Sequence, residues 1–203
     1  MLYYKSMIGI TGVARSGKDT FYSILSKYLE TKSLKSKRLA FADNLKKELH
    51  IFVKENFKID LKNCTSEEKE IVRPLMVAYG KCRRSQSEGQ YWTSLLDVDV
   101  KNLENKNIIP ILTDVRYIEY KGDEYSWIKN HNGILIHLSR KLDDGSLLPP
   151  ANIEEKANDN KLKAVADFTI CWETCQDTNF LYELMERNLE KIYELYTRHR
   201  SNK

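Results

Sequence analysis

Met7-Ile8-Gly9-Ile10-Thr11-Gly12-Val13-Ala14-Arg15-Ser16-Gly17-Lys18-Asp19-Thr20 is the stretch on which the reading of this chain turns. A short apolar run ends at Gly12. A helical pattern starts at Lys18 and runs to Thr31, with Phe21, Ile24, Leu25 and Tyr28 at 3/4 spacing. Between them lies G-x-x-x-x-G-K, which after a strand and before a helix is the pattern of a phosphate-binding loop. Glycines let consecutive N–H groups turn into one concavity, and the helix adds the partial positive charge of its N-terminus. Gly12, Ala14, Arg15, Ser16, Gly17, Lys18, Asp19 and Thr20 are therefore the expected contacts to a donor polyphosphate. Lys18 is expected on the β- and γ-phosphates, stabilising charge that moves toward the leaving group. Arg15 fits a phosphate contact and a solvent-facing position equally well. The common pattern has Ser or Thr after the lysine as a magnesium ligand. Here Asp19 stands there and Thr20 follows. An anion at that position repels polyphosphate unless it faces away or helps to hold magnesium through water.

Outward from the loop, short apolar runs alternate with longer amphipathic ones. That predicts an α/β, three-layer P-loop NTPase fold, with a five-stranded, mainly parallel sheet flanked by helices. Strands are expected at 7–11, 38–42, 107–113, 134–138 and 167–171, and Pro110 argues against a central place for the third. Asp43 reads as the N-cap of a helix with Leu45, Leu49, Phe52 and Val53 on one face. Thr65-Ser66-Glu67-Glu68 resembles a capping box. Pro74 is expected to kink or restart the helix that follows, and Gly80 to end it. Further helices are expected at 91–103, 120–132 and 179–198, the last with Leu181, Leu184, Met185, Leu189, Ile192 and Leu195 inward. Residues 139–165 hold Gly145, Pro149, Pro150 and many charges, and read as a lid or binding loop. The division expected is a single domain over 1–203. Its core is 5–60, 107–138 and 165–200, its acceptor-binding helical region 43–106, and its lid 139–165.

Composition narrows the function classes. Of 203 residues, 41% are hydrophobic and 31% charged, with 12 Tyr and only 8 Gly and 4 Pro, which excludes intrinsic disorder. No run approaches the roughly 18 apolar residues of a membrane span. Residues 1–7 lack a long apolar stretch before a cleavage site, which disfavours secretion. The net charge of +4 is too mild for a nucleic-acid track. Residues 1–60 hold 12 Lys and Arg against 6 Asp and Glu, so the positive excess lies with the glycine loop. Cys64, Cys82, Cys171 and Cys175 form no C-x-x-C pair, and the histidines show no ligand spacing to them. Reduced cysteines in a cytosolic protein are expected, and no zinc site.

A second element carries chemistry. Ile108-Ile109-Pro110-Ile111-Leu112 is apolar and ends in Thr113-Asp114. An acid at the carboxyl end of such a strand lies near the ligand crevice. Asp114 is expected to order magnesium through water, with Asp19 as a second candidate, and Arg116 to bind phosphate with its fork of donors. The bland alternative is a capped loop with a surface salt bridge.

On these residues the chain resembles the bacteriophage deoxynucleoside monophosphate kinases. G-V-A-R-S-G-K-D-T is similar to their phosphate loop. Ala40-Phe41-Ala42-Asp43-Asn44-Leu45-Lys46 resembles F-A-D-P-L-K, with Asn44 where Pro is usual. Val72-Arg73-Pro74-Leu75-Met76, Gly80, Arg84 and Tyr91-Trp92 resemble the family's helix region. Asp114-Val115-Arg116-Tyr117 resembles D-V-R-F. The acid that usually follows is out of register, and Glu119 is the nearest candidate. Ala166-Asp167-Phe168-Thr169-Ile170 resembles A-D-x-x-I, so the similarity spans about residues 7–190.

The resemblance implies transfer of the γ-phosphoryl group of ATP to a deoxynucleoside monophosphate, with Mg2+, in the cytoplasm or in that of a phage host. Its partners are then small nucleotides, without membrane or nucleic acid, and a homodimer is compatible with it. Arg73, Arg84 and Arg116 become candidates for the acceptor phosphate, and Asp43, Lys46 and Asp114 for the acceptor site. Trp92 and Tyr79 become candidates for base stacking, although a core position suits either ring. Lys18, Arg116 and the lid residue Arg140 are the expected catalytic cations, and residues 172–174 are placed near adenine by topology. Two rivals stand. A related kinase acts on a modified base in DNA or on a metabolite such as dephospho-coenzyme A. Alternatively, the chain binds nucleotide as a regulator without turnover.

Overall fold

Ile8, Ile10, Ile111, Ile134, Ile136 and Leu138 lose essentially all contact with solvent because their strands are covered on both faces. The computed structural model describes residues 6–173 and 178–201. Along the chain these form β1 (Ile8–Thr11), α1 (Lys18–Thr31), β2 (Lys35–Leu39), α2 (Phe41–Phe57), α3 (Ser66–Gln86) and α4 (Gln90–Asn105). There follow β3 (Ile108–Val115), α5 (Glu124–Asn130), β4 (Ile134–Lys141), α6 (Ile153–Val165), β5 (Phe168–Glu173) and α7 (Thr178–Ser201). The strands form one sheet in the order β2-β3-β1-β4-β5, and every pair is parallel.

Two cores result. Phe21, Leu25 and Leu29 of α1 meet Leu181, Met185, Leu189 and Ile192 of α7 over one face. Trp92, Leu96 and Val100 of α4 pack with Trp127, Ile128 and Leu162 on the other. A smaller cluster, Leu49, Val53, Ile59, Leu61, Val72 and Met76, joins α2 to α3 away from the sheet. From β1 the chain crosses to β2 on one side, and from β3 it later crosses to β4 on the other. The carboxyl ends of β1 and β3 therefore border the crevice where the strand order reverses. Gly12 follows β1 there, and Asp114 is the penultimate residue of β3.

Several expectations change. The second strand starts earlier, at Lys35. A residue-40 N-cap then replaces Asp43, which lies within the first turn of α2. The donors of that turn are met instead by Asp114, whose Oδ1 and Oδ2 accept from Phe41 N at 3.0 Å and Ala42 N at 2.9 Å. The capping box at Thr65 and Glu68 is formed, but α3 runs on through Pro74 and Gly80. Gly80 is needed for close packing: a Cβ there would lie 2.9 Å from Leu45 Cδ1, and its carbonyl accepts the Trp92 indole N–H at 3.1 Å.

β3 is internal despite Pro110. Pairing with β1 begins only at Ile8 and Ile111, so no N–H toward β1 is required at residue 110. The span 139–165 is not one long loop. β4 continues to Lys141, a tight turn closes through the Leu142 N–H to Ser146 O bond at 2.8 Å, an irregular stretch runs to Asn152, and α6 takes up Ile153–Val165. On α7, Leu184 faces outward at 60% exposure and Tyr196 takes an inward place.

Candidate active site

The Gly12–Lys18 loop keeps its curl through three left-handed or near-left-handed residues, Gly12, Arg15 and Gly17, at φ 139°, 65° and 90°. Trp172 supports it from below. Its indole N–H donates to Ser16 O at 2.8 Å, its ring packs edge-on to Phe21, and it leaves no room for a Cβ at Gly17. Trp172 is therefore buried under the loop at 5% exposure rather than open to a base, and residue 174 lies outside the described residues. Ser16 is wholly buried, and its Oγ has no hydrogen-bond partner.

Lys18 is folded back, its Nζ donating to Gly12 O at 2.7 Å and Val13 O at 2.8 Å. Burial and then the nearby Arg116 charge push its pKa down to about 8, against the pull of Glu155, Asp114 and Asp159. The loop amide of Ala14 donates to Glu155 Oε1 at 2.9 Å. Asp19 turns to Arg38 at 2.7 Å, and Arg38 also pairs with Asp43 at 3.0 Å. That places the Asp19 carboxylate in an ion pair beside the loop. Thr20 is half-buried in the first turn of α1.

Two connected cavities open beside the loop. The larger, of about 740 Å³, is walled by Ala14, Arg15, Lys18 and Asp19 at one end and by Lys46, Lys69, Arg73 and Arg116 at the other. The smaller, of about 210 Å³, shares Lys46, Lys69, Arg73, Asp114 and Arg116 with it and is lined by Phe41, Met76, Trp92 and Tyr117. The sequence-predicted Asp43, Lys46, Arg73, Trp92, Asp114 and Arg116 thus converge on these walls. Glu70 holds Arg73 through bonds at 2.8 and 2.5 Å and meets Arg15 across the cleft at 3.9 Å.

Three expected residues do not reach the cavities. Arg84 is 5% exposed and bonds Asp123 at 2.8 and 2.7 Å and Glu119 at 3.1 Å. Its guanidinium lies 4.0 Å from the Tyr117 ring centre and 4.6 Å from that of Tyr120. It therefore supports the cavity wall from behind, because its Nε and Nη2 are held by carboxylates there. Tyr79 donates to Glu48 at 2.7 Å and packs on Trp92, which ties α3 to α2 and α4. Arg140 lines neither cavity, and its Nε is buried without a partner.

Glu119 is likewise not the cavity acid; it pairs with Arg84 and Lys161. That place belongs to Glu124, 6% exposed, whose Oε2 accepts from the backbone N–H groups of Arg116 and Tyr117. Burial first, and the Asp114 charge second, push its pKa up to about 8. The signal for Glu124 was an acid in a helical first turn after Gly122-Asp123. Lys69 had no signal, because a lysine on a polar helix looks solvated. Glu155 had one in Asn152-x-x-Glu155, a helix-start pattern.

The chain matches no known family model and no curated protein. Among the described residues no cluster of acids, histidines and cysteines has metal-site spacing, and no helix is long and apolar enough to cross a membrane.

Proposed function

We propose that the chain is a P-loop kinase of the phage deoxynucleoside monophosphate kinase type, moving the γ-phosphoryl group of ATP to a deoxynucleoside 5′-monophosphate. The observation that carries this reading is the shared cleft. The Gly12–Lys18 loop borders one end, and Lys46, Lys69, Arg73 and Arg116 border the other, beside a cavity with the rings of Trp92 and Tyr117. A donor polyphosphate on the loop and an acceptor phosphate on the four cations would then face each other across one space. The mostly apolar cavity, with two aromatic rings in its lining, suits a base.

The chemistry needs positioning and charge neutralisation more than covalent help. An acceptor phosphate oxygen attacks the γ-phosphorus, and the bond from that phosphorus to the β–γ bridging oxygen breaks, leaving ADP. The acceptor needs no general base, since its phosphate is already largely ionised at neutral pH. Lys18 leaves the loop carbonyls to stabilise charge on the β–γ bridge, and Arg116 does the same between donor and acceptor. Magnesium would arrive on the polyphosphate and add Lewis-acid stabilisation. Asp114 is the residue beside which its water shell would rest, since each carboxylate oxygen keeps a lone pair beyond its backbone bond.

The test is ADP release measured over the four deoxynucleoside monophosphates, dUMP, modified monophosphates, dephospho-coenzyme A and DNA. Monophosphate-dependent release that is lost in Lys18→Ala supports the reading. Release only with DNA or a metabolite, or ATP binding without any turnover, overturns it.

A further inference from the structure

The amide concavity of the Gly12–Lys18 loop holds an anion in this structure, and that anion belongs to the chain itself. Glu155, in the first turn of α6, reaches back across 141 positions of sequence, and its Oε1 accepts from Ala14 N at 2.9 Å. Its Oε2 stays local, accepting from Ala151 N at 2.6 Å, while its own N–H donates to Asn152 Oδ1 at 2.8 Å. The helix start is thus capped by contacts that do not involve the loop. The reach to Ala14 is an addition to them. On the other side of the loop Lys18 is turned onto Gly12 O and Val13 O, within the field of Glu155. An amide donor and the ammonium that would meet a donor phosphate are both satisfied internally.

We propose that Glu155 is a built-in competitor for the donor phosphate: its carboxylate occupies the loop until a polyphosphate displaces it. The inference rests on the reading of the loop as a polyphosphate site. A carboxylate oxygen and a phosphate oxygen make the same charge-assisted bond to an N–H, so the two exclude each other there. The body of α6 stays in place during the exchange. Leu162 is buried in the second core, Lys161 pairs with Glu119 at 3.0 Å, and His137 Nε2 lies 3.0 Å from Asp159. The slack lies in residues 148–152, which wall the cleft between β4 and the helix. Donor arrival therefore moves the segment that roofs the transfer space.

Tripolyphosphate binding, measured by calorimetry on the full chain, tests this with wild type, Glu155→Gln, Glu155→Ala and Lys18→Ala. Both Glu155 variants are expected to bind more tightly than wild type, Glu155→Ala by roughly tenfold or more, the scale of one charge-assisted hydrogen bond. Hydrogen exchange adds a second readout. Tripolyphosphate is expected to speed exchange at residues 151–156 in wild type, and Glu155→Ala to show that speed before ligand is added. Unchanged or weaker binding in both variants, with wild type binding and Lys18→Ala not, overturns the competitor alone. If none of the four proteins binds, or if Lys18→Ala binds as tightly as wild type, the reading of the loop falls and this inference falls with it.

Discussion

At Lys18 burial and a neighbouring cation oppose the charge that the chemistry needs. With a folded pKa of about 8 against 10.5 in the open chain, the unfolded state binds more protons between those values. This group's contribution to stability therefore rises as pH climbs through that window. A bound polyphosphate favours the ammonium, so binding above pH 8 is expected to take up a proton. Calorimetry in two buffers of different ionisation enthalpy is expected to show that uptake at pH 9 and none at pH 6.5. Affinity is expected to be flat from pH 6 to 7 and to fall as pH rises past 8.

Glu124 has the opposite sign. Its folded pKa of about 8 lies above the usual 4.5, so the folded state keeps a proton that the unfolded chain releases. The stability it contributes is complete below pH 4.5 and is lost as pH rises through 8. Glu124→Gln keeps an acceptor for the Arg116 and Tyr117 amides. Denaturant titrations are expected to show wild type losing on the order of 3 kcal/mol relative to this variant between pH 5 and 8. Arg84→Ala leaves the buried Asp123 carboxylate without its partner, and the expected loss of stability is about 3 kcal/mol. Lys18, Asp114 and Arg116 were legible because their place is fixed by spacing from a glycine loop or a strand end. Arg84 and Glu124 were not, since an arginine and an acid on a helix carry no mark of which partner will bury them.

Among the elements, the support of α1 is the most sensitive point. Gly17 combines φ 90° with a would-be Cβ 2.4 Å from Trp172 Cζ2. Gly17→Ala is therefore strained in backbone and side chain together. A loss of at least about 2 kcal/mol is expected from thermal or denaturant unfolding, with a change in tryptophan emission as the indole shifts. Element type was readable wherever the apolar period was strong, as in α1, α4 and β4. The reading was weaker for two polar elements: a strand expected at 38–42 lies at 35–39, and the expected lid contains α6. β2, Lys35 to Leu39, pairs with β3 along its whole length; its burial alternates weakly, but four of its five residues are polar, so the alternation leaves no apolar signal in the sequence. α6 buries only Asn158 and Leu162 and is otherwise half-buried or exposed, so its helix is held by its cap and by its neighbours.

At the scale of the whole molecule, stability is divided unevenly. The two cores against the sheet draw on four and more elements each, whereas the cluster between α2 and α3 is built from two helices and their connection. Local opening follows such differences. Amides in α3 and the outer half of α2 are expected to exchange with solvent before those of β1, β3 and β4. An acceptor monophosphate is expected to slow them, because Lys69, Arg73 and Met76 of α3 line its cavity.

The sheet's border has a consequence of its own. β2 is an outermost strand, and the side chains of Lys35 and Lys37 project from it into solvent. A second molecule approaching edge to edge would bring matching rows of lysine together before any ladder of main-chain bonds could form. Fibre-like stacking through that rim is thereby opposed.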